Sequence, residues 1–237
     1  GPGHNPFAGV THLLERYVSD GHERGGNALL VPTSARLIVG EATVLPIAKR
    51  AFDFVYASHV LEHVEDPVQA CREIMRVGAA RYIETPSPFL EQGLAIGDES
   101  FPEHWFHRWF VFSPGGDRLV FEPKSVEEVA RFCSCRDGRF LREFYAAVDF
   151  REAQHCFRRT TKTTMFYCTS SFQVEVRDRM MDCRQDGRPC RFDGMRRALV
   201  SNCNNLLRAS RMRRLTQRFP GVQEIFRKFG QYSLLVH

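Results

Sequence analysis

Between residues 36 and 86, short apolar runs alternate with one helical segment, and this order restricts the fold more than any other feature of the chain. Leu37–Val39 and Phe52–Ala57 are the first two runs, and Arg81–Glu84 begins a third. Runs this short and this apolar are typical of strands that are buried within a sheet. Two strands, a helix and a third strand in this order predict a parallel α/β fold.

The helix between the second and third strands is marked at both ends. Asp66 and Pro67 predict its start, because aspartate caps the first backbone amides and proline is tolerated in the first turn. Gly78 predicts its end. The residues between recur at helical spacing and give the helix one apolar face. They are Val68, Cys71, Ile74 and Met75.

Polar residues stand at the carboxyl ends of the predicted strands, which is where parallel α/β sheets bind ligands. Glu41 comes after the first strand, and Ser58 and His59 come at the end of the second. Upstream, Thr11–Leu14 is a further strand-like run, and it ends at Glu15. We therefore expect the functional site at this edge of the sheet.

Three motifs follow one another over residues 1 to about 90: GPGHNP, GEATVLP and FDFVYASHVLEHVEDP. In this order they resemble the motifs of the class I S-adenosylmethionine-dependent methyltransferases, in particular the small-molecule branch of type 11. The resemblance implies a Rossmann-like, mostly parallel sheet that is flanked by helices. It also implies an enzyme that transfers a methyl group from S-adenosylmethionine and releases S-adenosylhomocysteine.

The resemblance further implies which residues bind the cofactor. Amides of a glycine turn can approach the methionine carboxylate closely, and a carboxylate at the next strand end can accept both ribose hydroxyls. Glu15 is the predicted ribose ligand, with Asp20 in reserve, and Leu45 would give the adenine an apolar wall. The predicted cofactor-binding residues are Gly1, Gly3, Glu15, Glu41, Ala42 and Ser58.

Histidines are the candidate catalytic bases, because methyl transfer from a sulfonium needs little more than alignment and removal of one proton. His59 ends the second strand, and His104 and His107 lie in the aromatic segment 102–112, which could cover a substrate. His59 and His63 would share one face of a helical turn. The sequence shows no third ligand beside them, so we predict no metal site and a structural role for His63.

The rest of the chain is predicted to complete the fold around this core. We divide the chain into a methyltransferase core over residues 1–122 and a C-terminal part over 123–237 that would carry acceptor specificity. The core ends in an added β-hairpin at 110–121, whose strands flank the turn sequence SPGGD. In the C-terminal part, residues 163–178 read as a strand pair, and two basic helices follow.

One element that the resemblance requires is a central strand immediately before the glycine turn. That strand would precede Gly1. Three alternatives follow: the sequence is a trimmed one, another segment such as residues 232–237 fills the position, or the domain is rearranged and does not bind cofactor normally. We expect the first of these.

Composition limits the class of protein. Of the 237 residues 43% are hydrophobic, enough for a sizeable core. No run of about eighteen apolar residues occurs, and the first residues do not resemble a secretion signal. The eight cysteines show no CxxC spacing, so we predict reduced thiols rather than zinc ligands or a disulfide framework. We therefore predict a cytoplasmic protein with no membrane span.

Three hypotheses of function remain at this point. The leading one is methyl transfer to a small-molecule or saccharide acceptor. The second, motivated by the lack of the central strand before the glycine turn, is a non-catalytic binding or assembly module. The third is an RNA methyltransferase, because arginines cluster at 208–218 in a chain of net charge +5. It ranks lower because no aromatic RNA-binding motif accompanies the charge. Whether the protein forms a homo-oligomer is left open.

Overall fold

The structure is a computed structural model, and it describes the segments that carry most of the predicted strands. These are residues 6, 9–19, 27–88, 90–91, 106–114, 116–125, 139, 143, 147 and 163–178. The chain divides into two compact units. The first consists of residues 1–85, 106–122 and 164–177, and the second of residues 86–105, 123–163 and 178–237. The boundary predicted at residue 122 stays a prediction.

The N-terminal strands form two parallel ladders. Strand β1 (His12–Glu15) pairs with β2 (Arg36–Val39), and Glu15 lies opposite Val39. Strand β3 (Phe52–Ser58) pairs with β4 (Gly78–Pro86), and Ser58 lies opposite Glu84. Each of these strands was predicted, and their parallel pairing brings the carboxyl ends of neighbouring strands together.

A third sheet contains the predicted hairpin. Its strands are β5 (Trp109–Phe112) and β6 (Arg118–Pro123), which are neighbours in the sheet. Their connection is too short for a parallel crossover, so they run antiparallel.

The prediction of a strand pair over residues 163–178 is wrong in its pairing. Both strands exist, β7 (Thr163–Cys168) and β8 (Gln173–Val176). However, β7 joins β4 in one sheet, and β8 pairs in parallel with β6 in another. Local alternation identified the strands, but their partners come from distant parts of the chain.

The expected fold class is confirmed in part. The described residues form a mixed α/β structure, consistent with a Rossmann-like core, but their strands form three sheets rather than one. Within these residues no strand joins β1 to β3, although the rings of His12 and Phe52 lie 5.0 Å apart between centroids. The two predicted basic helices, the arginine cluster and the segment 232–237 lie outside the described residues.

Helix α1 (Pro67–Val77) begins as the sequence predicts. The Oδ1 of Asp66 accepts a hydrogen bond of 2.9 Å from the backbone N–H of Gln69, and Pro67 occupies the first turn. The apolar face of α1 packs into the main core, where Ala70 and Cys71 are fully buried. Burial raises the pKa of the Cys71 thiol to about 12, with a smaller contribution from the charge of Asp66, so this thiol stays protonated.

In the part of the chain that the structure describes, no helix combines the length and the apolar character that a membrane crossing requires.

Gly78 ends the helix, but it does so in an extended conformation and not in the left-handed one that a glycine cap usually adopts. It is also the first residue of β4, and it lies opposite Phe52. A Cβ atom at this position would lie 2.5 Å from Cγ2 of Val55. The glycine is therefore required by the close approach of β4 to β3.

We expect Gly78→Ala to lower the free energy of unfolding by about 1–3 kcal/mol, because the added methyl group overpacks the contact with Val55. Urea denaturation of Gly78→Ala, Val55→Ala and the double variant measures the coupling. Removal of the Val55 methyl groups should recover part of the loss in the double variant. Strict additivity of the two single changes would contradict this explanation.

Candidate functional site

The end of β1 carries a buried carboxylate. Glu15 is only 8% exposed. Its Oε1 accepts hydrogen bonds from the backbone N–H groups of Arg16 at 2.9 Å and Tyr17 at 3.3 Å. Its backbone carbonyl accepts from the N–H of Gly40 at 3.1 Å, which continues the pairing with β2. Glu15 thus lies where the sequence predicts it.

Glu41 lies at the neighbouring strand end and is connected to the same place. Nη1 of Arg16 lies 2.6 Å from Oε2 of Glu41, and Oε1 of Glu41 accepts from the backbone N–H of Ala42 at 3.1 Å. Arg16, which directly follows Glu15, therefore pairs with Glu41. Sequence reasoning missed Arg16, although its position directly after Glu15 was a signal that it could reach the adjacent strand end.

The loop after Glu41 is fixed by two charged residues of α1. Oε2 of Glu73 accepts from the backbone N–H of Leu45 at 2.8 Å. Arg76 donates to the carbonyl of Leu45 at 3.1 Å and to that of Ile47 at 2.7 Å. Nε of Arg76 also lies 2.6 Å from Oε1 of Glu73. We call this arrangement of Glu73, Arg76, Leu45 and Ile47 the loop clamp.

The hydrogen bond from Arg76 is the main cause that holds the pKa of Glu73 below its usual value. Sequence reasoning missed both residues of the clamp, because polar residues within an amphipathic helix look like its solvent face.

The clamp predicts a pH dependence of stability. Because the pKa of Glu73 is lowered by folding, its contribution is present above the usual pKa near 4.5 and is lost as the pH falls through the lower folded-state pKa. We expect the stability difference between wild type and Glu73→Gln to be largest near neutral pH and to shrink in acid. Urea denaturation from pH 7 down to the acid limit measures it.

A matched control distinguishes loss of the loop clamp from the general effect of removing a carboxylate whose pKa is lowered. The pKa of Glu175 on β8 is likewise lowered, chiefly by its hydrogen bond with Arg177. Hydrogen exchange of the Leu45 amide should become faster in Glu73→Gln and stay unchanged in Glu175→Gln. Equal protection of this amide in both variants would refute the clamp.

The end of β3 presents His59 in a strained backbone conformation. Its φ is 53°, a left-handed value that a non-glycine residue rarely adopts, and such strain concentrates at functional sites. Its backbone N–H donates to the carbonyl of Glu84 on β4 at 2.8 Å. Ser58, the preceding residue, is half-buried. β3 ends at Ser58, so this conformation lies directly at the carboxyl end of the strand.

Two carboxylates flank the imidazole of His59, which is 50% exposed. Nδ1 lies 3.2 Å from Oε1 of Glu62, and Nε2 lies 4.0 Å from Oε1 of Glu84. The hydroxyl of Tyr82 donates to the other oxygen of Glu84 at 2.7 Å. The ring thus combines solvent access with two carboxyl groups nearby, which suits a group that exchanges protons.

His107 lies close to His63. The ring centroids of His63 and His107 are 4.5 Å apart, at an interplanar angle of 89°. Ligand atoms of Glu62, His63 and His107 all lie within 4.8 Å of one another. Residues 61–63 form a turn rather than the helical turn that would align His63 with His59. The sequence could not indicate this grouping, because His107 is distant along the chain.

The remaining predicted site residues are Gly1, Gly3, Asp20 and His104. They lie outside the described residues, so their roles stay predictions.

Comparison with known proteins gives one match within the chain. Residues 14–80 match a family model described as a methyltransferase domain. No curated protein and no solved structure matches the chain. The matched segment runs from the end of β1 to the start of β4, and so it contains Glu15, Glu41, His59 and the loop clamp. The match confirms the resemblance over residues 14–80, which are similar to a methyltransferase domain of a class I S-adenosylmethionine-dependent family, whereas the GPGHNP motif precedes the matched segment.

Proposed function

We propose that this protein transfers a methyl group from S-adenosylmethionine to a small-molecule or saccharide acceptor. The observation that carries the proposal is the placement of Glu15 and Glu41 at adjacent ends of parallel strands, connected through Arg16. Both acids belong to the segment that matches the methyltransferase domain. The carboxyl edge of a parallel sheet is where α/β proteins bind nucleotides.

The described residues fit the nucleoside part of the cofactor. The Glu15 carboxylate can accept hydrogen bonds from the two ribose hydroxyls, and Glu41 with the Ala42 amide can contact the adenine edge. The Ala42 amide and Arg16 now engage Glu41 itself, so adenine binding would exchange one or both of these contacts. Gly1 and Gly3 are proposed ligands of the methionine carboxylate. The cofactor supplies a methyl group on a sulfonium, which is a good leaving group.

His59 is the base that the geometry favours. Its half-exposed ring can accept a proton from the acceptor nucleophile, and carboxyl oxygens of Glu62 and Glu84 lie 3.2 Å and 4.0 Å from its two nitrogens. Ser58 would line the same position. His104 and His107 stay further proposed bases, and ligand atoms of His107, His63 and Glu62 lie within 4.8 Å of one another. The protein's main task is to align the nucleophile and exclude water.

Binding of the cofactor is the direct test of this proposal. We expect Glu15→Gln to weaken S-adenosylmethionine and S-adenosylhomocysteine about tenfold to 100-fold, because charged hydrogen bonds to the ribose are lost. Isothermal titration calorimetry measures both ligands. Glu65→Gln is the matched control, because Glu65 is exposed on the connection before α1. Identical affinities of the two variants would refute the assignment of Glu15.

The catalytic role of His59 has a separate test. In an assay of methyl transfer from radiolabelled S-adenosylmethionine to a panel of hydroxyl- and amine-bearing small molecules and saccharides, His59→Gln should lower kcat about 100-fold or more. Its affinity for the cofactor should stay at the wild-type value, because the proposed cofactor contacts lie on other residues. An unchanged kcat on the preferred acceptor would exclude His59 as the base.

The alternative function is a non-catalytic binding module of this fold. It is favoured by one observation, that no strand among the described residues connects β1 to β3. The calorimetric experiment distinguishes the two functions: a folded protein that takes up neither ligand at millimolar concentration would support the module. The RNA hypothesis depends on residues 208–218, which lie outside the described residues, and it stays a prediction.

A further inference from the structure

We infer that Glu62, His63 and His107 form a binding site for a divalent transition-metal cation. We call these three residues the His–Glu cluster. They offer two imidazole nitrogens and one carboxylate oxygen within 4.8 Å of one another. This inference requires neither cofactor nor acceptor, although Glu62 also lies 3.2 Å from the proposed base His59.

The dimensions of the cluster suit a small cation. Zinc bonds of about 2.0–2.2 Å to nitrogen and oxygen put neighbouring ligand atoms of a tetrahedral site about 3.4 Å apart. The cluster therefore needs to close by about 1 Å or slightly more to reach that spacing. Side-chain rotation of two half-buried histidines can supply such a movement.

The burial of Glu62 is the independent observation that points to a cation. This residue is 1% exposed, and neither of its carboxylate oxygens has a hydrogen-bond partner among the described residues. The nearest cationic candidate is the half-exposed ring of His59, whose Nδ1 lies 3.2 Å from Oε1 without forming a hydrogen bond. A buried carboxylate in this situation is costly unless a positive charge compensates it. A bound cation provides that compensation directly.

The backbone holds the cluster in place from both sides. The N–H of Arg108 donates to the carbonyl of Glu62 at 2.7 Å, and Nε1 of Trp109 donates to the carbonyl of Val64 at 2.8 Å. Leu61, directly before the cluster, is fully buried in the core. The segment that carries His107 is therefore attached to the turn that carries the other two ligands. Such support from a rigid scaffold is what a metal site requires.

The donor set selects the class of metal. Two imidazoles and one carboxylate suit Zn²⁺, Fe²⁺ or Mn²⁺, whereas Mg²⁺ and Ca²⁺ prefer oxygen ligands alone. Three protein ligands leave at least one coordination position open, which is typical of sites that bind a further ligand and not of closed structural sites. The sequence predicts no metal site because it shows no third ligand beside His59 and His63. In the structure, Glu62 and His107 lie close to His63, and His59 is not one of the three ligands.

The test uses the full chain after treatment with EDTA and dialysis. Titration calorimetry with ZnCl₂ and with MnCl₂, each alone, should give one site per chain, and MgCl₂ should bind far more weakly. His107→Asn and Glu62→Gln should weaken the preferred metal about 100-fold or more, since each removes a direct ligand. The matched control is His12→Asn, which removes a histidine on β1 and should keep wild-type affinity.

The unfolding temperature, measured in EDTA and in saturating metal, is a second test. It remains valid if a variant binds metal poorly because its fold is disturbed. Glu62→Gln should unfold at an equal or higher temperature than the wild type in EDTA, because it removes a buried charge, and at a lower temperature in saturating metal. The inference is overturned if the wild type takes up no stoichiometric Zn²⁺ or Mn²⁺. It is equally overturned if His107→Asn binds the metal as tightly as His12→Asn does.

Discussion

The parallel pairing of β1 with β2 is the constraint on which the proposed site depends. A parallel ladder puts equivalent strand ends side by side, so Glu15 and Glu41 meet at one edge although a long segment separates them in sequence. A shift of one residue in this register would turn the Glu15 side chain to the opposite face. The ion pair of Arg16 with Glu41 reinforces the same alignment. The chemistry of the edge thus follows from backbone hydrogen bonds.

Helix α1 connects this edge to the second ladder. Its charged residues hold the loop that follows Glu41, while its apolar face packs into the core shared with β3 and β4. The helix ends at Gly78, where the absence of a side chain lets β4 approach β3 closely. One helix therefore positions both the proposed nucleoside contacts and the strand ends that carry His59 and Glu84.

Local sequence was sufficient to predict the elements of this core. Apolar runs identified the strands and the Asp66-Pro67 pair identified the helix start, because each depends on neighbouring residues alone. Pairing was harder to predict, and β7 and β8 were wrongly paired with each other, since their actual partners are distant in sequence. The same reason explains which site residues could be predicted. Glu15 and Glu41 were predictable because they lie at strand ends, whereas the proximity of His107 to Glu62 depends on tertiary structure.

We propose that the edge formed by Glu15 and Glu41 binds the nucleoside of the methyl donor. A crystal structure of the protein soaked or co-crystallised with S-adenosylhomocysteine tests it most directly. We expect ribose hydroxyls within hydrogen-bond distance of the Glu15 carboxylate and adenine beside Glu41 and Ala42. A well-ordered nucleoside bound elsewhere, with both glutamates keeping their contacts with Arg16 and the neighbouring amides, would contradict it.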